Sequence, residues 1–110
     1  MIKTSIAKFK IGQVIRHRVH AFRGVVFDVD AEFAEGNGTS ESILVEQRSR
    51  RDQPFYYLLA QNDQNPYVAY VSEQNLLADD TGEPIGHPHT GVMFDSFRDG
   101  HYHPRQRQTH

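Results

Sequence analysis

Phe55-Tyr56-Tyr57-Leu58-Leu59-Ala60 and Tyr67-Val68-Ala69-Tyr70-Val71 are the two stretches whose reading decides the fold. They are rich in aromatic and apolar side chains, which suit a pleated, half-buried surface. Between them lies Asn62-Asp63-Gln64-Asn65-Pro66, a run of turn formers. Two strands joined by about five such residues form a hairpin. Upstream, residues 14–20 alternate. Ile15, His17 and Val19 face one way, while Arg16, Arg18 and His20 face the other. This predicts a half-buried strand. Phe22-Arg23-Gly24 then leads into Val25-Val26-Phe27-Asp28-Val29, a second strand by composition. Gly24 predicts a bulge or sharp bend where a side chain would obstruct.

Further out the pattern weakens. Gly36-Asn37-Gly38-Thr39-Ser40 has turn chemistry and little to bury. Ser40 or Ser42 is expected to cap a short helix running to about Arg48, and Ser72 a helical turn reaching Leu77. Asp79-Asp80-Thr81-Gly82-Glu83-Pro84 reads as a turn. Val92, Met93, Phe94 and Phe97 are expected to dock as a short strand or turn, and residues 99–110 to form a mobile tail. There is no internal repeat, and no segment sustains a helical apolar period. Several short strands around one long excursion predict a mostly β fold. The expected architecture is a small, SH3-like, partly open β-barrel with short helical turns, its domain spanning residues 9–98 and its flexible tail 99–110.

The 110 residues are enough for one domain with one modest core. The longest apolar runs, near Val25 and Phe55, fall far short of the ~20 residues needed to span a bilayer. No membrane partner is therefore expected. Cysteine is absent, which excludes disulfides and thiolate chemistry and suits a reducing compartment. The basic start lacks the apolar centre of a secretion signal, so a cytoplasmic location is expected. Net charge is −2, which gives no global attraction for nucleic acid. The distribution is uneven, however. Lys3, Lys8, Lys10, Arg16, Arg18 and Arg23 occupy the first 27 residues without an acid, and acids dominate from Asp28 to Glu46.

Seven histidines invite a metal reading, above all His87-Pro88-His89 and His101-Tyr102-His103. Tetrahedral zinc needs about four spaced ligands in a rigid frame, and these pairs lie in a Pro/Gly-rich region, so no metal site is expected. Asp28, Asp30 and Glu32 share a side of a continuing strand but lack the glycine and spacing of a calcium loop. They read as acids at a strand end. Neither Ser72 nor Ser96 sits in a nucleophile elbow, and no phosphate-cradling glycine motif occurs. An activity without nucleophile, base or metal is not an enzyme's, so no catalytic residue and no cofactor are expected.

The remaining chemistry is aromatic and basic. Arg16, Arg18, Arg23, Arg48, Arg50 and Arg51 are candidate DNA-phosphate contacts, and Phe22, Tyr56 and Tyr67 are candidate partner contacts. The bland alternative, that strand aromatics are simply core, stays open.

Residues 9–17 (Phe-Lys-Ile-Gly-Gln-Val-Ile-Arg-His) and 23–30 (Arg-Gly-Val-Val-Phe-Asp-Val-Asp) resemble the opening of the heat-shock protein HspQ family, also called hemimethylated-DNA-binding or YccV-like. Residues 52–59 and 67–76 resemble its second half, and His87-Pro88 the sequence that follows. The resemblance implies an SH3-like barrel, a cytoplasmic bacterial setting and no cofactor. It also implies two activities. One is promoting breakdown of selected proteins by the ATP-dependent Lon protease under heat stress. The other is binding hemimethylated DNA. The partners expected are thus Lon and its substrates, with hemimethylated DNA as the alternative, and a small homo-oligomer is compatible with either. The charge balance ranks the protease role first. If Arg16, Arg18 and Arg23 met phosphates with part of the Arg48, Arg50 and Arg51 cluster, roughly five contacts would give a log–log salt slope near −4 or −5 for duplex DNA.

Overall fold

The computed structural model describes residues 6–34, 43–45, 50–62 and 65–105. In chain order its strands are β1 (Val14–His17), β2 (Arg23–Asp30), β3 (Ile43–Val45), β4 (Phe55–Gln61), β5 (Pro66–Ser72), β6 (Leu76–Ala78), β7 (Phe94–Arg98) and β8 (His101–Pro104). A 3-10 turn, Glu73–Asn75, precedes β6, and one helical turn, α1 (Thr90–Met93), precedes β7. Six strands form one sheet in the order β3-β5-β4-β2-β1-β6, and β7 with β8 forms a separate hairpin. The pairings are antiparallel except that of β3 with β5. The long sheet curls without closing, which makes the molecule a mostly β, small, partly open barrel. No helix among the described residues is long and apolar enough to cross a membrane.

The decisive hairpin is β4–β5, paired from Phe55 opposite Ser72 to Gln61 opposite Pro66. Because side chains alternate along a strand, β4 feeds two cores. Tyr56, Leu58 and Ala60 enter one with Ile15, Val26, Ala69, Val71 and Leu76. Leu59 enters the other with Val14, Val25, Ile85, Phe94 and Tyr102. The first core fills the curl of the sheet. The second lies on its back and is closed by the C-terminal segment.

That second core corrects the expectation for the tail. Tyr102 is buried, β8 pairs with β7, and Gln13 bridges His101. The Tyr102 hydroxyl accepts the Ile85 N–H at 2.8 Å and donates to the Ile85 carbonyl at 3.2 Å. One side chain thus satisfies two backbone groups that burial would otherwise leave without water. Residues 106–110 of the expected tail lie outside the described residues.

Three smaller corrections follow from local chemistry. The helix expected from Ser40 or Ser42 to Arg48 is replaced, where described, by strand β3. Its β-branched and aliphatic Ile-Leu-Val run adds to the edge of β5 instead. The Gly36–Thr39 loop lies outside the described residues. Ser72 is fully buried and makes no side-chain cap, and Leu76 and Leu77 belong to β6 rather than to a helix. The first strand stops at His17, so Val19 is 73% exposed instead of inward. Gly24 lies in regular pairing, and the ladder shifts between Val26 and Asp28, making Phe27 the extra residue. The reason for a glycine holds nonetheless, because a Cβ there would come 3.0 Å from the Leu59 carbonyl oxygen.

A candidate binding groove beside the first turn

The turn between β1 and β2 is built by His17. Its ring is buried, and its Nδ1 accepts the N–H groups of Val19 and His20, both at 3.0 Å. His20 lies beside His17 with ring centroids 4.7 Å apart, and Phe22 follows at 5.1 Å. Phe22 in turn meets the edge of Tyr67 at 5.8 Å. Beside this aromatic wall opens a groove of about 580 Å³, lined by Arg16, His20, Phe22 and Arg23 and by Gln61 and Asn62 at the end of β4.

The candidate arginines do not form one surface. Arg23 lines the groove, but its guanidinium is taken up by the 79–84 turn. Its guanidinium donates to Asp79 Oδ2 at 2.8 Å, to Thr81 Oγ1 at 3.2 Å and to the Glu83 carbonyl at 2.6 Å. It therefore ties the 79–84 turn to the barrel, a correction to its expected place among phosphate contacts. Burial disfavours the ionised Asp79 carboxylate, but hydrogen bonds from Arg23 and Thr81 outweigh it and hold the carboxyl below its ordinary range. Arg50 pairs with Asp52 at 3.1 Å, and the Arg51 guanidinium lies 4.5 Å from the centre of the Phe33 ring. Both sit near the far end of β2, where Asp30 pairs with Phe55, whereas Arg23 pairs with Gln61 at the near end. At ~3.3 Å per strand residue the two groups are some 20 Å apart. Arg48 lies outside the described residues. Only Arg16 and Arg18 of the set are exposed with no side-chain hydrogen bond or ion pair among the described residues.

The candidate aromatics divide as well. Phe22 and Tyr67 come together at the groove, but Tyr56 is fully buried. Its hydroxyl donates to Glu73 Oε2 at 2.5 Å and accepts the Phe9 N–H at 3.2 Å. Burial, reinforced by the Glu73 carboxylate, drives its ionisation well above the ordinary tyrosine range. Tyr56 is thus a strut that holds the N-terminal segment, and its expected partner contact is corrected to core. Tyr70 does the same for Asp30 and the Ala34 N–H, at 2.8 and 3.1 Å. Asp28 bonds the Val29 N–H, so the alternating acids serve separate local ends.

Among the described residues no three His, Cys, Asp or Glu side chains come together as a metal site would require. His87 is buried, and its Nδ1 accepts the His89 N–H at 3.1 Å. Burial, helped by the charge of His89, lowers its pKa below that of a free imidazole.

Ile85 and Tyr102 are core residues that their sequence setting does not reveal, and Asp79, legible only as part of a turn, is the partner of Arg23. A signal did exist. Val25-Val26 and Leu58-Leu59 are consecutive apolar pairs in strands, and such pairs require cover on both faces. The YccV-like family model, described as hemimethylated DNA-binding protein YccV like, matches residues 7–101. The match takes in every strand of the long sheet, the 79–84 turn that Arg23 holds, and the start of β8. The chain therefore belongs to the YccV-like family, described as a family of binding domains.

Proposed function

We propose that this chain is a non-catalytic recruiting module that promotes degradation of selected proteins by the ATP-dependent Lon protease. The role itself comes from the resemblance to the HspQ family. The observation that favours a protein partner over a polyanion is how the cations are used. Arg23 and Arg50 pair with Asp79 and Asp52, and Arg51 stacks on Phe33, which leaves Arg16 and Arg18 from the described candidates. Arg16 and Arg18, even with the exposed Lys8 and Lys10 of the same N-terminal stretch, are few cations on a chain of net charge −2 and provide limited counterion release, on which DNA affinity depends. The test adds the purified protein to Lon, ATP and a folded substrate. Stimulation of proteolysis that saturates with concentration supports the role, and an unchanged rate across the titration removes it.

A second reading is DNA binding, and the family match is the observation that favours it. Under it Arg16 and Arg18 would meet phosphates beside the groove. Recognising a missing methyl group requires major-groove contact with base edges. Equal affinity for hemimethylated and unmethylated duplexes would remove that specificity.

A further inference from the structure

We propose that the groove beside the first turn docks a short peptide segment that carries a carboxylate next to an aromatic or apolar residue. The inference rests on the reading of the chain as a protein-recruiting module and names the partner chemistry of its surface. A volume of about 580 Å³ falls in the range of pockets that hold drug-sized ligands, about 300–1,000 Å³. It suits a few residues of extended chain, not a duplex.

The lining supplies three complementary elements. Arg16 is exposed on β1 and has no intramolecular side-chain partner among the described residues. Its planar fork matches a carboxylate in a two-point bond. Arg18, two residues on, is equally exposed and adds charge beyond the rim. Next to Arg16, the half-buried Phe22 and the exposed His20 offer ring faces and edges, held in place by His17 and Tyr67. Gln61, at the end of β4, is held by accepting the Gly86 N–H at 2.7 Å through Oε1, with its amide nitrogen also beside Gly86.

Charge complementarity also decides against a nucleic-acid occupant. Arg23, the other lining cation, is already neutralised by Asp79 at 2.8 Å, and Asp80 and Glu83 are exposed on the same turn. A duplex carries one charge per ~1.7 Å of axis and would run against that acidic turn. A single carboxylate would reach Arg16 without meeting it.

The test titrates the full chain, isotope-labelled for NMR, with a short fluorescent peptide in which Asp and Glu flank a central Phe. A matched peptide with Asn and Gln in place of the acids is the control. The acidic peptide is expected to shift the amide signals of Arg16, His20, Phe22 and Gln61. Arg16→Ala should weaken binding about tenfold, as loss of a charged hydrogen bond does, and Arg18→Ala more mildly. Arg50→Ala, at the far end of β2, should leave affinity unchanged. No binding, equal binding of the amide control, signal shifts confined to other residues, or affinity indifferent to Arg16→Ala would each overturn the proposal. So would displacement of the peptide by a short duplex that contacts the same residues more tightly. The Lon assay separates this inference from the functional reading. Docking that depends on Arg16 without any stimulation of Lon leaves the groove assignment standing and removes the protease role. Stimulation of Lon without docking does the reverse.

Discussion

Replacing Tyr102 by phenylalanine removes one oxygen and leaves the ring in place. That oxygen is hydrogen-bonded to both the N–H and the carbonyl of Ile85, itself 4% exposed. Phenylalanine therefore strands two buried backbone groups, at a cost of about 2 kcal/mol counted at the low end, about 1 kcal/mol, for each. Replacement by alanine also removes the ring that packs on Phe94 and Phe97, at centroid distances of 5.3 and 4.6 Å. Emptying a buried aromatic site costs about 3–5 kcal/mol. In urea, with a slope of roughly 1.5 kcal/mol per molar for a chain of this size, Tyr102→Phe should lower the midpoint by about 1 M and Tyr102→Ala by about 2–3 M. Hydrogen exchange should quicken at the Ile85 amide in both variants. Midpoints that match the unmodified chain in both would mean that β8 does not cover the second core, and the two-cored architecture would fail.

Other consequences are equally open to measurement. Gly12 has a φ of +94°, and a Cβ there would lie 2.0 Å from the Tyr102 carbonyl oxygen, so Gly12→Ala should cost more than about 2 kcal/mol in thermal or urea unfolding. Gly100, with a φ of +77° and its nearest neighbour at 3.9 Å, should cost only the backbone strain of about 1 kcal/mol. Arg23→Met leaves the Asp79 carboxylate buried without its cation and should destabilise by about 2–4 kcal/mol, whereas a change at the exposed Arg50–Asp52 pair should stay within about 0.5 kcal/mol. Because the folded chain lowers the pKa of His87 from 6.5, the unfolded state binds the proton more readily. Its contribution is complete above pH 6.5 and declines as pH falls through the folded value, so a His87→Gln variant should show a flatter pH–stability curve below that point.

Much of the sheet was legible because its signals are local. The aromatic run at 55–60, the turn formers after it and the β-branched run at 25–29 each specify strand or turn within a few residues. The back of the sheet was less legible, because its cover is dispersed. Ile85 and Tyr102 are single apolar residues in a polar, His- and Gly-rich segment, and Phe94 ends the short Val92-Met93-Phe94 run. None of them forms a periodic pattern, and their burial depends on contacts with Val14, Val25 and Leu59 far away in sequence. The site was legible in composition but not in grouping. Arg16 and Phe22, six residues apart in sequence, lie at one groove. Arg23 was marked with them, because nothing local reveals that Asp79, some fifty residues on, would neutralise it. The aromatic candidates failed in the same way. Tyr56 and Tyr67 look alike in sequence and share one face of the β4–β5 hairpin, but Tyr56 is closed over within the core while Tyr67, beside the turn end, stays half-buried.

The salt dependence of duplex binding reads the exposed positive charge directly. Measured by anisotropy with a short hemimethylated duplex across a series of potassium chloride concentrations, contact through Arg16 and Arg18 alone, without the exposed Lys8, Lys10 and Arg98, should be weak with a log–log slope near −2, at about 0.9 per phosphate neutralised. Tight binding at physiological salt with a slope of about −4 or steeper would show that cations beyond Arg16 and Arg18 meet DNA, and would contradict the assignment of this chain to protein partners.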